Sequence, residues 1–107
     1  MVKFFFYNKL TNVELIKKIN NNFEIYDGYI LIKNYDTENN ILEISDYSSN
    51  NKMLYGKIVD FKMNLGDVIQ KINEIDECKI KNKTNYSLEE IWTNKIFGGT
   101  YKAYIIF

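Results

Sequence analysis

The chain has 107 residues, with 14 lysines balanced by 14 acidic residues, one cysteine, and no histidine, arginine or proline. This length suits one domain with its own core, and zero net charge gives no overall field to attract nucleic acid or an anionic membrane. The missing histidines exclude a Ser-His or Cys-His relay and a histidine metal site, and one cysteine cannot build a zinc cluster. Without arginine, an anion would have to be held by lysine, hydroxyl groups or backbone amides.

Hydrophobic patterning predicts six strands and two helices along the chain. The predicted strands cover residues 2–7, 23–33, 41–45, 52–62, 86–93 and 100–107. Gly98 and Gly99 predict a hairpin between the last two strands, and Gly28 indicates a bend or bulge within the second strand. Strands combined with two helices of modest length predict an α+β domain whose mixed sheet is curled into a partial or closed barrel.

Both helices carry start signals in the sequence. Thr11 is the predicted N-cap of the first helix, Glu14 is its capping-box partner, and Leu10 with Leu15 forms a hydrophobic staple. Asn64 is the predicted N-cap of the second helix, over residues 64–77. The first helix is therefore expected to begin close against the end of the first strand.

An acidic residue at the end of the second helix is the first candidate for catalysis. At about 100° per residue, Asp76 lies roughly 45° from the centre of the apolar stripe, whereas Glu77 lies roughly 145° away. Desolvation raises the pKa of a buried carboxylate, so Asp76 could accept and return a proton near neutral pH. Glu77 is the fallback, and a structural role for Asp76, bonded to a lysine or a backbone amide, is the alternative. The stripe consists of Leu65, Val68, Ile69, Ile72 and Ile75.

Short motifs in a fixed order resemble the gamma-glutamyl cyclotransferase-like family over nearly the whole chain. Tyr7-Asn8-Lys9-Leu10 is similar to the Tyr-Gly-Ser/Thr-Leu loop of that family, and Ile72-Asn73-Glu74-Ile75-Asp76 is similar to its Leu-Asp-x-x-Glu segment. Residues 27–31 resemble its Gly-Tyr-x-Leu strand, and residues 54–58 resemble its Val-x-Gly-x-Leu/Val strand. Further matches are Tyr86, at the start of a strand, and the pair Ala103-Tyr104. The family resemblance gives the element order as β-α-β-β-α-β-β.

The resemblance implies an enzyme that releases 5-oxoproline from a gamma-glutamyl amine or a gamma-glutamyl amino acid. The alpha-amine of the substrate would attack its own side-chain carbonyl, while Asp76 takes one proton and returns another, without metal or cofactor. The backbone amides of Tyr7, Asn8, Lys9 and Leu10 would hold the substrate carboxylate, and Tyr86 would line the pocket. The implied partner is therefore a small gamma-glutamyl molecule.

Four positions differ from the family pattern, and one of them is Leu88, which stands where relatives often have arginine. Asn8 replaces a glycine, Lys9 replaces a small hydroxyl residue, and Asp76 replaces glutamate with a side chain one methylene shorter. The alternative function is therefore a non-catalytic relative that keeps the pocket as a binding module for a small molecule or a protein. In that case, Tyr7 and Tyr86 would be core aromatic residues with a hydroxyl at the rim.

The sequence also gives an expectation for localisation. The first residues lack the pattern of a signal peptide, and no apolar run approaches the roughly 20 residues needed to span a bilayer. The single Cys78 cannot form an internal disulfide, which suits a reducing compartment. We therefore expect a soluble, cytoplasmic protein without a membrane partner.

Overall fold

A computed structural model describes residues 2–7, 9–36, 38–39, 41–44, 52–75 and 88–106. It contains six strands and two α-helices, and a 3₁₀ turn over Lys9–Thr11 precedes the first helix. The strands are β1 (Val2–Phe6), β2 (Phe23–Asp36), β3 (Ile41–Ile44), β4 (Lys52–Phe61), β5 (Leu88–Lys95) and β6 (Thr100–Ile106), and the helices are α1 (Val13–Ile19) and α2 (Leu65–Glu74).

The six strands form one mixed sheet that closes on itself. The strand order is β3-β2-β4-β1-β6-β5, and β2 also pairs with β5 through Gly28 with Lys95 and Tyr29 with Asn94. Only β1 and β6 are parallel. Five strands therefore make a closed barrel, and β3 is an extra strand on β2, which confirms the predicted α+β class and curled sheet.

The observed element order contains all six predicted strands, which is one strand more than the order β-α-β-β-α-β-β given with the family resemblance. Three strands lie between the two helices, so the order is β-α-β-β-β-α-β-β. The additional strand is the short β3, which turns back along the far end of β2 from Asp36 with Ile41 to Ile32 with Ile44.

Side chains of β1 alternate between two cores, because successive residues of a strand point to opposite faces. Phe5 points into the barrel, where it packs with Ile30, Ile58 and Ile105. Phe4 and Phe6 point outward into a second core that includes the buried faces of both helices. The helices contribute Leu15, Ile16, Ile19, Val68 and Ile72 to this outer core.

The helix starts agree with the sequence at α2 and differ at α1. The side chain of Asn64 accepts a hydrogen bond from Asp67 N at 2.8 Å, which confirms the predicted cap. In α1 the N-cap is Asn12, whose Oδ1 accepts from Glu14 N at 2.9 Å. The prediction of Thr11 as the cap is wrong because Thr11 belongs to the preceding 3₁₀ turn.

Two glycines face each other where the barrel closes. Gly28 pairs with Gly56 in a continuous β2–β4 register, so the predicted bulge at Gly28 is absent. A Cβ at Gly28 would lie 2.8 Å from Asn94 O, and a Cβ at Gly56 would lie 2.2 Å from Phe6 O. Both positions therefore require glycine because neighbouring backbone approaches too closely for a side chain.

The hairpin predicted between the last two strands is present. Gly98 and Gly99 have φ values of 91° and 97°, a region of backbone conformation that favours glycine. Lys95 N donates to Gly99 O at 3.0 Å and closes the turn. Within the described ranges, no helix is long and apolar enough to cross a membrane.

Candidate functional site

One end of the barrel is formed around Tyr7, the residue that follows β1; we call it the Tyr7 end and define it by Tyr7, Tyr35 and Ile106. The Tyr7 ring stacks on Phe5 with centroids 6.4 Å apart, and it meets Tyr35 edge-on at 5.4 Å. The Tyr7 hydroxyl donates to the carbonyl oxygen of Ile106 at 3.3 Å. Tyr7 therefore has a fixed ring and a hydroxyl that faces the end of β6.

The ionisation of Tyr7 restricts what it can do chemically. Burial and, to a smaller extent, the neighbouring Tyr35 together raise the pKa of its hydroxyl to about 12. At neutral pH the group is therefore an uncharged hydrogen-bond donor, and it is a poor candidate for a general base. It can serve as an aromatic wall and as a donor to a substrate oxygen.

The segment after Tyr7 is anchored to the outer core by the buried side chain of Leu10. This residue is only 7% exposed and packs in the outer core beside the helices. At the start of α1 the amide of Glu14 is not available to a ligand, because it already donates to Asn12 Oδ1. Asn8 and the side chain of Lys9 lie outside the described part of the chain, so their predicted contacts with substrate stay predictions.

The end of α2 changes the argument for Asp76. The helix ends at Glu74, and the next residue, Ile75, has extended backbone angles of φ −88° and ψ 115°. Because the chain leaves the helical path before Asp76, the 45° position derived from helical periodicity does not apply to it. Asp76, Glu77 and Tyr86 lie outside the described residues, so a meeting of Asp76 with the Tyr7 end stays a prediction.

The opposite end of the barrel carries charged residues that the sequence analysis missed. We call it the Lys3 end and define it by Lys3, Tyr26, Asp60, Lys95 and Tyr101. Lys3 Nζ lies 3.5 Å from Asp60 Oδ2, and Lys95 Nζ lies between two rings, 3.5 Å from the Tyr26 centroid and 4.6 Å from that of Tyr101. A signal was available, since Lys3 and Phe5 share one face of β1 by alternation.

A third feature is a cleft of about 590 Å³ between β2 and β5. The two strands pair at Tyr29 and Asn94 and then separate, so the wall of the barrel opens beyond that point. No motif in the sequence indicated this opening, because it depends on how far two strands distant in the chain stay paired. The cleft is lined by Ile30, Leu31, Ile44, Glu90, Ile91, Trp92, Asn94 and Thr100.

Neither a metal-binding group nor a similarity to a known protein identifies a site in the described part of the chain. Among the residues that the structure describes, no three acidic or cysteine side chains are grouped to hold a metal ion. No family model, curated protein or solved structure matches the chain. The resemblance to the gamma-glutamyl cyclotransferase-like family therefore rests on the short motifs alone, and the function that it implies is a proposal.

Proposed function

We propose that the protein is a gamma-glutamyl cyclotransferase-like enzyme that releases 5-oxoproline from gamma-glutamyl amines or gamma-glutamyl amino acids. The observation that carries the proposal is the Tyr7 end of the closed barrel. There β1 ends just before a tyrosine at the mouth of the barrel, and a 3₁₀ turn leads from it towards helix α1. The motif that resembles the substrate-binding loop of the family includes this turn.

The placement of α2 supports a role for Asp76 at the same end. Leu65, in the first turn of α2, lines a groove together with Val2, so the helix starts beside the first residues of β1. Asn20, at the end of α1, donates to Met63 Sδ at 3.2 Å, just before α2. Ten helical residues span about 15 Å, enough to run the length of β1. Because α2 starts beside Val2 and the end of α1, we infer that it runs back along β1, with its last residues nearer to the Tyr7 end than Leu65 is.

The proposed reaction needs one proton carrier. Asp76 would accept a proton as the substrate alpha-amine attacks the gamma-carbonyl carbon, and it would return a proton to the nitrogen that leaves as the C–N bond breaks. Tyr7, neutral and held against Ile106, would orient the substrate as an aromatic wall. The products are 5-oxoproline and a free amine, and the proton balance closes without metal or cofactor.

Purified protein should therefore convert gamma-glutamyl substrates to 5-oxoproline, measured by mass spectrometry in the presence and absence of a chelator. Loss of a general base typically lowers a rate by about 10²- to 10⁴-fold, so Asp76→Asn should remove most turnover. Glu77→Gln is the matched control and should leave turnover nearly unchanged. Asp76→Glu should raise activity if the missing methylene limits reach. Undiminished turnover in Asp76→Asn contradicts the assignment.

A non-catalytic binding module is the second candidate, and one observation favours it. The Tyr7 hydroxyl is neutral at pH 7 and bonded to Ile106 O, so Tyr7 can line a pocket without taking part in proton transfer. If no substrate of a broad gamma-glutamyl panel gives 5-oxoproline, while the same compounds shift the NMR signals of Tyr7 and Tyr35, the binding module is the better description.

A further inference from the structure

The cleft between β2 and β5 has the size and lining of a small-molecule site. Its volume of about 590 Å³ lies within the range of about 300–1,000 Å³ that is usual for such sites. It opens because β5 leaves β2 after Tyr29 while β3 joins the same edge of β2 at Ile32. Among the described residues, Ile30 and Leu31 have no strand partner on that edge. A slot is therefore left in the barrel wall.

The inner and outer parts of this slot differ in the polarity of the side chains that line them. Its inner part is aliphatic, because Ile30 and Ile91 belong to the barrel interior and Ile44 packs against the same core. Its outer part carries Glu90 and Trp92, which alternate with Ile91 and so point to the outer face of β5. A ligand that fits both parts has an apolar chain and a polar head.

The charge of the lining selects the head group. Glu90 is the one charged side chain among the residues that line the cleft, and no described residue forms an ion pair with it. Glu90 also lines a neighbouring groove with Lys3 and Lys102, and Lys102 Nζ lies 5.2 Å from the centroid of the Trp92 ring, but neither lysine lines the cleft itself. An ammonium head beside Glu90 is therefore favoured over a carboxylate head.

We propose that this cleft binds a small amphipathic amine, with its alkyl chain inside the barrel wall and its ammonium group at Glu90. None of the residues that define the Tyr7 end lines this cleft, although Ile30 and Ile91 pack in the same core cluster as Tyr7, and the proposal does not rest on the cyclotransferase chemistry proposed there. Binding and turnover can therefore fail independently.

The chain provides its own probe, because Trp92 is its single tryptophan and lines the cleft. Titrating the full chain with butylamine, hexylamine and octylamine below micellar concentrations should give saturable changes in Trp92 fluorescence. Each additional buried CH₂ should tighten binding about fourfold. Octanol and octanoate are the matched neutral and anionic ligands, and both should bind more weakly than octylamine.

Variants at neighbouring positions of β5 test the head group. Glu90→Gln should weaken octylamine binding about threefold to fivefold and leave octanol binding unchanged, as expected for one solvated ion pair. Glu89→Gln, on an exposed residue that does not line the cleft, is the control and should have no effect. Glu90 is also exposed, so both variants should fold, which circular dichroism checks.

Three outcomes would overturn the proposal. The first is octanoate or octanol binding as tightly as octylamine. The second is an equal octylamine affinity in wild type and Glu90→Gln. The third is the absence of saturable Trp92 fluorescence together with unchanged amide NMR signals of Ile30 and Ile91 on titration with octylamine.

Discussion

The two ends of the barrel use tyrosines in different ways. At the Tyr7 end, the Tyr7 ring packs against aromatic neighbours and its hydroxyl bonds a main-chain carbonyl. At the Lys3 end, the rings of Tyr26 and Tyr101 hold the ammonium group of Lys95. Lys3 is likewise paired with Asp60 and lies 5.6 Å from the Tyr101 ring centroid.

This difference indicates which end is available for chemistry. At the Lys3 end, both ammonium groups already contact other groups of the protein. This cluster therefore has a structural role and closes that end of the barrel. One atom is the exception, since Asp60 Oδ1 is buried without a hydrogen-bond partner among the described residues. At the Tyr7 end, Tyr7 contacts Tyr35 through its ring and Ile106 through one hydrogen bond, so a ligand that binds there would not have to break an ion pair of Tyr7. The comparison therefore favours the Tyr7 end as the candidate site.

The largest expected effect comes from removing the apolar layer between the two ends. Phe5 is 1% exposed and packs with Ile58 and Ile105 inside the barrel. Phe5→Ala should lower the free energy of unfolding by about 3–5 kcal/mol, because it leaves a cavity that the barrel can only partly fill. Urea unfolding monitored by circular dichroism measures this change.

Phe97→Ala is the matched control for that experiment. Phe97 is 94% exposed in the β5–β6 hairpin, so its removal should change stability by less than about 0.5 kcal/mol. Similar losses for both variants would contradict the assignment of Phe5 to a closed interior.

The elements of this barrel were predictable from sequence, but its closure was not. Hydrophobic patterning predicted six strands, and the predicted bounds lie within about two residues for β1, β3, β4, β5 and β6. Closure depends on Gly28 meeting Gly56 and on contact with Asn94 in β5, which single-strand patterns do not encode. A charged residue in a strand likewise does not reveal its partner, so the pairing of Lys3 with Asp60 was missed.

The site predictions were limited by helix ends. Thr11 and Asn12 are both residues that cap helices well, and only the 3₁₀ turn decides that Asn12 is the N-cap. Ile75 continues the apolar stripe of α2, which extended the predicted helix past its actual end at Glu74. Helix ends depend on tertiary packing as much as on local sequence. For this reason the helix was predicted, but the angle derived for Asp76 does not apply.

A second test removes the ion pair between Lys3 and Asp60 at the Lys3 end. Lys3→Met should lower the free energy of unfolding by about 1–3 kcal/mol, because Asp60 is only 15% exposed and would lose its cationic partner. Asp60→Asn combined with Lys3→Met should recover part of this loss, since the neutral pair no longer buries an unpaired charge. A double-mutant cycle from urea unfolding gives the coupling.

Lys57→Met is the control for the Lys3 end. Lys57 pairs with Asp27, whose side chain is 58% exposed, so its loss should cost less than about 1 kcal/mol. An equal cost for Lys3→Met and Lys57→Met would show that burial at the Lys3 end adds nothing to that pair.

A third test concerns the hydroxyl of Tyr7. Tyr7→Phe keeps the ring but removes the bond to Ile106 O, so it should lower the free energy of unfolding by about 0.5–1.5 kcal/mol. If Tyr7 also orients substrate, kcat/KM for 5-oxoproline release should fall while the fold is retained. A loss of stability without any loss of turnover would assign Tyr7 to the core alone.

The last expected effect, seen only at high pH, is a pH dependence that is specific to Tyr7. Its pKa is about 12 in the folded protein and about 10 for an ordinary tyrosine, so the unfolded chain releases the proton first as pH rises. Stability from this group is therefore fully present below pH 10 and is lost between pH 10 and pH 12. Because other tyrosines and the lysines also titrate there, the measured quantity is the difference in urea midpoint between wild type and Tyr7→Phe. That difference should shrink or change sign as pH rises through this window, and a constant difference would show that Tyr7 titrates like an exposed tyrosine.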